Sequence, residues 1–467
     1  MAIRPIDFLR IANPWLVGTN VGRVVPIYVL NNLVSPDFKK NDHYAHIKHL
    51  AFDAGIGLKK LSDSFETLPS DFSDLETTVM GLLAPERRIF RDNKNGGACE
   101  NGALFPLLGG LSAKTPSDDG LGKRFRELYE DHTENLQERL KILLAPKDIY
   151  DPATEFANRL LSGKTGELET PFSKKKPKGL KGLDLACVKF VDNLIMGIPE
   201  ENRIQGIRRL ALGVFFVSIV KMVRGSVLAN DCNQQSVFVF GGLPTGSSLE
   251  PTVRAASKSF MNWIQISHKA LVANLFSVLS KASHLPKASK PEILRQKIKL
   301  ALINNKHKEA MVDDFINEIA TLIKGEELSR NWCKDAVESK IIAFPVSEYA
   351  KRVRNLSANI GFAGPDKGGM PRLMIDTPLL GVIVKGIAGN KSLPFEDFIT
   401  ILSQDFGLVL GVGSDDSVVD KIGSIGQEGF DPYELLQRNE SFLRERLIRT
   451  GLARTYSDSH TEVFGNA

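Results

Sequence analysis

The sequence predicts a mainly α, multidomain protein that ends in a winged-helix-like (α+β) module. Three observations carry that expectation. Apolar residues recur at helical spacing through most of the middle of the chain, from Leu183 to about Lys308. Gly/Pro-rich stretches interrupt the helical pattern and mark boundaries. The last part of the chain sets capped helices before a short alternating pair. At 467 residues the chain is too long for one ordinary core, so several domains are expected.

Residues 1–162 read as an N-terminal mixed, mostly helical domain. Its clearest helix lies in GKRFRELYEDHTENLQERLKILL, where Phe125, Leu128, Leu136, Leu140 and Leu143 share one side. Residues 163–182 form a Lys/Pro/Gly-rich linker or loop. Residues 183–358 are a central helical domain, interrupted by the β-branched and aromatic run QSVFVFGG and the glycines after it. Residues 359–373, NIGFAGPDKGGMPR and its successor, supply a second linker.

Residues 374–467 are the winged-helix-like domain. Thr377 caps a helix with Pro378 at its first position, and PFEDFITILSQDF stops before Gly407, which suits a left-handed C-terminal cap. Asp431 and Pro432 repeat the cap-then-proline start. Asn439 is read as the cap of a further helix that ends at Gly451. LARTYSDSHTEVF then alternates around a Ser-Asp-Ser-His turn, as a hairpin does.

Composition bounds the chemistry. With 42% hydrophobic and 25% charged residues the chain has the balance of a folded globular protein. A net charge of +5 permits a polyanionic partner but does not argue for one. Cys99, Cys187, Cys232 and Cys333 form no C-x-x-C pair, which speaks against a zinc finger and a disulfide framework. MAIRPIDFLRIANPW has no apolar signal region, and the longest apolar run, Leu210 to Val220, is about half a membrane span. A cytoplasmic protein with no membrane partner, metal or cofactor is expected.

Two regions could meet phosphates. The stretch from Lys281 to Lys308 holds eight Lys/Arg against one acid, Glu292. A helix starting near Pro291 would bring Arg295, Lys299 and Lys306 within roughly 40° of one another. Lys174, Lys175, Lys176, Lys178 and Lys181 add a flexible basic loop. In the tail, Arg444, Arg449 and Arg454 are read as outward-facing, whereas Arg446 falls among Phe442, Leu443 and Leu447 with its stem packed. Residues 431–467 carry five arginines against six acids, so these arginines lack a clear basic footprint and are read as contacts to DNA or to an acidic partner surface.

Three near-motifs fall short of their chemistry. Gly241-x-x-x-x-Gly246 after a strand has P-loop spacing, but Ser247 stands where the phosphate-binding lysine belongs. Asp42, His43, His46, His49 and Asp53 offer metal-ligand types without a three-ligand helical face. Asp335, Glu338 and Lys340 contain the E-x-K end of a metal-dependent nuclease without its upstream partner acid.

TPLLGVIVKGIAG, LPFEDFITILSQDFGLVLG and NESFLRERLIRTGLARTYSDSHTEV together resemble the C-terminal end of accessory subunits in multi-gene bacterial antiphage defence systems. Such islands also encode a DNA-translocating or helicase-type ATPase. The resemblance covers about a fifth of the chain. It implies a partner subunit of a DNA-targeting complex, working beside an ATPase subunit, and carries over no catalytic residue. The expectation is a non-enzymatic DNA-engaging or scaffolding component of an antiviral defence complex. The alternatives are a metal-dependent nuclease subunit using Asp335, Glu338 and Lys340, and a pure protein–protein adaptor.

Overall fold

The apolar run from Leu210 to Val220 lies inside a helix that buries every side of that run, as a core helix does. A computed structural model describes residues 120–130, 180–197, 203–228, 236–242, 250–281, 346–364, 370–413 and 431–465, with positions 6, 9, 10, 13–17, 26, 29, 30 and 33. The elements run α1 (Leu121–Glu130), α2 (Gly182–Met196), α3 (Arg203–Leu228), β1 (Val237–Phe238), α4 (Pro251–Lys281) and α5 (Val346–Ala358). They continue β2 (Ala363–Gly364), β3 (Arg372–Leu373), α6 (Thr377–Ala388), β4 (Ser392–Pro394), α7 (Phe395–Phe406) and β5 (Leu408–Val409). α8 (Pro432–Arg449), β6 (Ala453–Thr455) and β7 (Thr461–Phe464) close the chain. The described chain is mostly helical with a few small sheets. Among the described residues no helix is long and apolar enough to cross a membrane.

The chain divides into two compact units. One comprises Gly22–Val217, Thr377–Leu393 and Val463–Ala467. In it α2 turns Leu183, Cys187, Phe190, Val191 and Leu194 inward. Asn193 Nδ2 donates to the Gly386 carbonyl at 2.9 Å, serving one of the carbonyls that the end of α6 leaves without a helical partner. The hydroxyl of the fully buried Tyr129 on α1 donates to Asp192 on α2.

Burial pushes the Asp192 carboxyl up to about 6. Between pH 4 and 6 (roughly) the folded state therefore holds a proton that the unfolded state has released, so this group's contribution to stability falls as pH rises through that window. Asp192→Asn, which keeps an acceptor for Tyr129, should raise the urea midpoint more at about pH 7.5 than at about pH 4.5. An equal shift at both would mean that the carboxyl titrates normally.

The other unit comprises Met1–Val21, Ser218–Asp376 and Pro394–Glu462. Its centre is a set of short strands. β1 pairs in parallel with β5, Val237 opposite Leu408 and Phe238 opposite Val409. Phe240 bridges in parallel to Met374, and β2 pairs antiparallel with β3. Phe238, Phe240, Val253, Ala255, Ala256, Met374, Val409, Val412, Leu435 and Leu436 form a core over these strands, with Phe442 packed against it. Gly407 ends α7 at φ 64°, its N–H returning to the Leu402 and Ser403 carbonyls. That is the left-handed cap expected there, and the Arg224 guanidinium fills the space where a Cβ would stand.

Between α4 and α5 the His268 and Tyr349 rings lie 5.7 Å apart. Tyr349 is fully buried, burial raises its pKa, and its hydroxyl has no hydrogen-bond partner among the described residues. A buried hydroxyl without a partner is a cost, so Tyr349→Phe should raise stability by about 1 kcal/mol. A loss of that size in denaturant titration would contradict the assignment.

The hairpin expected in the tail forms β6 and β7. Tyr456 N–H donates to His460 O at 2.8 Å, and Ser459 takes a positive φ of 67° in the turn. The three-stranded sheet has the order β4-β7-β6. Asn439 corrects one expectation: it starts no new helix, because α8 is continuous from Pro432 to Arg449. Neither glycine nor proline interrupts ELLQRNESF, and the Asn439 amide finds its partners in the strands.

Candidate functional site

Parallel strands usually receive ligands beyond their carboxyl ends. Here the chain leaves that edge through Gly241 after β1 and Leu410 after β5. α8 lies against the same edge. Asp431 caps it, its carboxylate accepting from Tyr433 N–H at 3.2 Å with Pro432 at the first position, as the sequence predicts. Its inner face buries Leu435, Leu436, Leu443 and Leu447, and with them Asn439 and Arg446.

Asn439 takes over where the strand ladder stops. Its amide donates to the carbonyls of Val239 at 2.9 Å and Leu410 at 2.8 Å, and its oxygen accepts from Gly241 N–H at 2.8 Å. Arg446 donates to the Gly242 carbonyl at 3.1 Å and reaches that of Gly241 at 3.5 Å. Burial lowers the guanidinium pKa from its ordinary value, and Asp376 opposes that shift by favouring the charge. The next residue, Glu440, on another side of the helix, accepts from the backbone N–H groups of Val412 at 3.1 Å and Gly413 at 3.4 Å. The polar groups of α8 thus occupy the backbone donors and acceptors that a ligand at this edge would use.

That arrangement decides the P-loop spacing. β1, Gly241 and α4 do follow in strand, glycine, helix order. But Gly241 is needed for close approach: a Cβ there would lie 3.0 Å from Leu443 Cβ and 3.1 Å from the Asn439 carbonyl. Its N–H is already given to Asn439. At the start of α4, where a phosphate would sit, stands the Glu250 carboxylate. Glu250 accepts from the Thr252 hydroxyl at 2.9 Å and is gripped by Arg438 at 3.0 and 3.1 Å. A second negative group would be repelled. Gly246, Ser247 and Ser248 lie outside the described residues.

The tail arginines separate. Arg446 is packed, as its helical position predicts. Arg444 bridges Glu396 and Glu440, both at 3.1 Å, and stacks over Phe395 at 4.7 Å. Arg449 is 72% exposed and pairs with Glu445 one turn earlier at 3.2 Å. Arg454 is exposed on β6.

Lys181 of the basic loop is exposed at the N-cap position of α2. The remaining candidates lie outside the described residues: Lys174, Lys175, Lys176 and Lys178; Arg295, Lys299 and Lys306; Asp335, Glu338 and Lys340; and Asp42, His43, His46, His49 and Asp53. Among the described residues no group of three or more His, Cys, Asp or Glu is placed to hold a metal ion.

No known family, curated protein or solved structure matches the chain.

Sequence reasoning passed over α4. This helix contains no Asp or Glu in its 31 residues. Its exposed residues include Arg254, Lys258, Met261, Asn262, Gln265 and Lys269, whereas Val253, Ala256, Phe260, Trp263, Ile264 and Leu271 are buried. A signal was present in the sequence: a long helical segment without acids, its cations spaced by four and eleven residues.

Proposed function

We propose that this protein is a non-enzymatic, DNA-engaging scaffolding component of a cytoplasmic bacterial antiviral defence complex, acting beside an ATPase subunit. In this reading residues 374–467 form a winged-helix-like module. The observation that supports it is the order helix, strand, helix, strand, helix, strand, strand in α6, β4, α7, β5, α8, β6 and β7, in which β5 pairs with β1 and the other strands form a sheet of order β4-β7-β6. The first strand of such a module pairs with the last, and the last two make the wing. The resemblance of the same stretch to accessory defence subunits adds the context.

Within the module, scaffolding is the better assignment for α8. Its inner polar residues are committed to the strands, and Arg438, Arg444 and Arg449 each meet a carboxylate. A DNA-reading helix needs uncompensated cations, because phosphate neutralisation supplies most of the affinity.

Incubation of the full chain with supercoiled plasmid, with and without Mg²⁺, tests the reading. At low salt, about 50 mM, the protein should retain the plasmid without nicking it. Mg²⁺-dependent cleavage that Glu338→Ala abolishes would replace this reading with the nuclease. Absence of any retention would contradict the DNA-engaging half and leave an adaptor.

A further inference from the structure

We propose that α5 is a detachable latch: within the folded protein it leaves α4 as one piece, pivoting at Gly361, while the strands of its unit stay paired. The N-terminal segment at Val17 is the clasp that sets how often it leaves. The inference does not depend on the DNA-engaging reading.

α5 is weakly held. Of its 13 residues Tyr349, Val353, Leu356 and Ser357 are the buried ones. Two of the four carry hydroxyls, and neither hydroxyl has a hydrogen-bond partner among the described residues. Ser267, beside His268 on α4, adds a third buried hydroxyl in the same condition. An unmet buried hydroxyl costs about as much as burying a valine or leucine side chain gains. Tyr349 and Ser357 thus offset much of what Val353 and Leu356 contribute. The main hold left is the Tyr349 ring, 5.7 Å from that of His268, together with the bond made by Arg352. Water satisfies both hydroxyls once the helix leaves, so detachment recovers their cost.

Hydrogen bonds set the end of the latch. Phe362 N–H donates to the Ser357 carbonyl at 2.8 Å and Gly361 N–H to that of Ala358 at 3.1 Å, the pattern of a Schellman cap. Gly361 has φ 73°, and a Cβ there would collide with the Asp376 carboxylate. Its carbonyl accepts from Asp376 N–H at 2.8 Å, that of Phe362 accepts from Met374 N–H at 3.2 Å, and β2 pairs with β3. The chain is fastened from Gly361 onward, whereas the helix before it relies on its poorly satisfied face.

The clasp is charge-assisted. Arg352 Nη1 donates to the Val17 carbonyl at 3.1 Å. Leu16 and Val17 are buried, and Asn13 Nδ2 ties their segment to the Met222 carbonyl of α3 at 2.7 Å. All of these residues belong to one unit. Loosening of the N-terminal segment frees α5, and α5 in leaving uncovers the His268 side of α4. Elements that open at low free energy are the ones that switching proteins move.

Hydrogen exchange of the full chain, followed by mass spectrometry in urea from zero to about 2 M, tests the latch. The amides of α5 should exchange faster than those of β1 and β5 and depend less on urea. A detached helix of this length is marginal in water, and its release exposes little surface. Val409→Ala should speed exchange in β1 and β5 and leave α5 unchanged, because the Val409 contacts survive the opening. Tyr349→Phe should slow α5 about five-fold, and Arg352→Met should speed it about ten-fold or more.

Equal rates and urea slopes in α5 and the strands would overturn the proposal, and this comparison needs only the wild type. A Val409→Ala effect of equal size on both would overturn it too. An unchanged α5 rate in Arg352→Met would overturn the clasp, and with it control by the N-terminal segment.

Discussion

Asn439→Leu should destabilise the unit containing α8 by about 3–5 kcal/mol, although leucine is close in size and fully compatible with a helix. The substitution leaves the Val239 and Leu410 carbonyls and the Gly241 N–H without the partners they now have. Each buried backbone group so stranded costs about 1–3 kcal/mol, partly offset by the apolar surroundings that accept the leucine. The loss should appear as a lower denaturant midpoint at unchanged helicity, because α8 itself is not broken. Ser441→Ala, on the exposed side of the same helix, is the control and should fall within about 0.5 kcal/mol. A comparable loss for both would mean that helix propensity, and not the strand clamp, sets the cost.

Arg446→Met is expected to cost about 3 kcal/mol or more. Methionine can reproduce the packed stem but not the guanidinium, so the Gly241 and Gly242 carbonyls lose their donor and Asp376 loses a favourable charge. Arg446→Lys should recover part of the loss, since an ammonium restores the charge but not the planar fork. Thermal unfolding of the three proteins checks the order Arg, Lys, Met. Should Met match the wild type, the buried guanidinium would be incidental to the fold.

The caps were legible because their chemistry is local. Asp431 before Pro432 and Gly407 after Phe406 each need only a few neighbouring residues to act, and both act as expected. The position of Arg446 was legible from helical geometry, since an arginine among Leu443 and Leu447 has one direction in which to point. Asn439 was misread for a physical reason. The short amide that makes asparagine a good helix cap is equally suited to ending a strand ladder, and the strands it serves lie 200 and 29 residues away.

The Glu250 and Glu396 carboxylates that meet Arg438 and Arg444 were hidden in the same way, being distant in sequence, whereas Glu440, one turn before Arg444, is local.

On the scaffolding reading, α8 is a structural helix and does not supply the phosphate contacts its arginines suggest. The direct measurement is the salt dependence of DNA binding by the full chain carrying R449A/R454A, the two most exposed of the candidate tail arginines. The predicted result is a slope and affinity equal to those of the wild type. A slope reduced by about 1.8, the share of two phosphate contacts, would contradict it and return the recognition role to α8 and its wing.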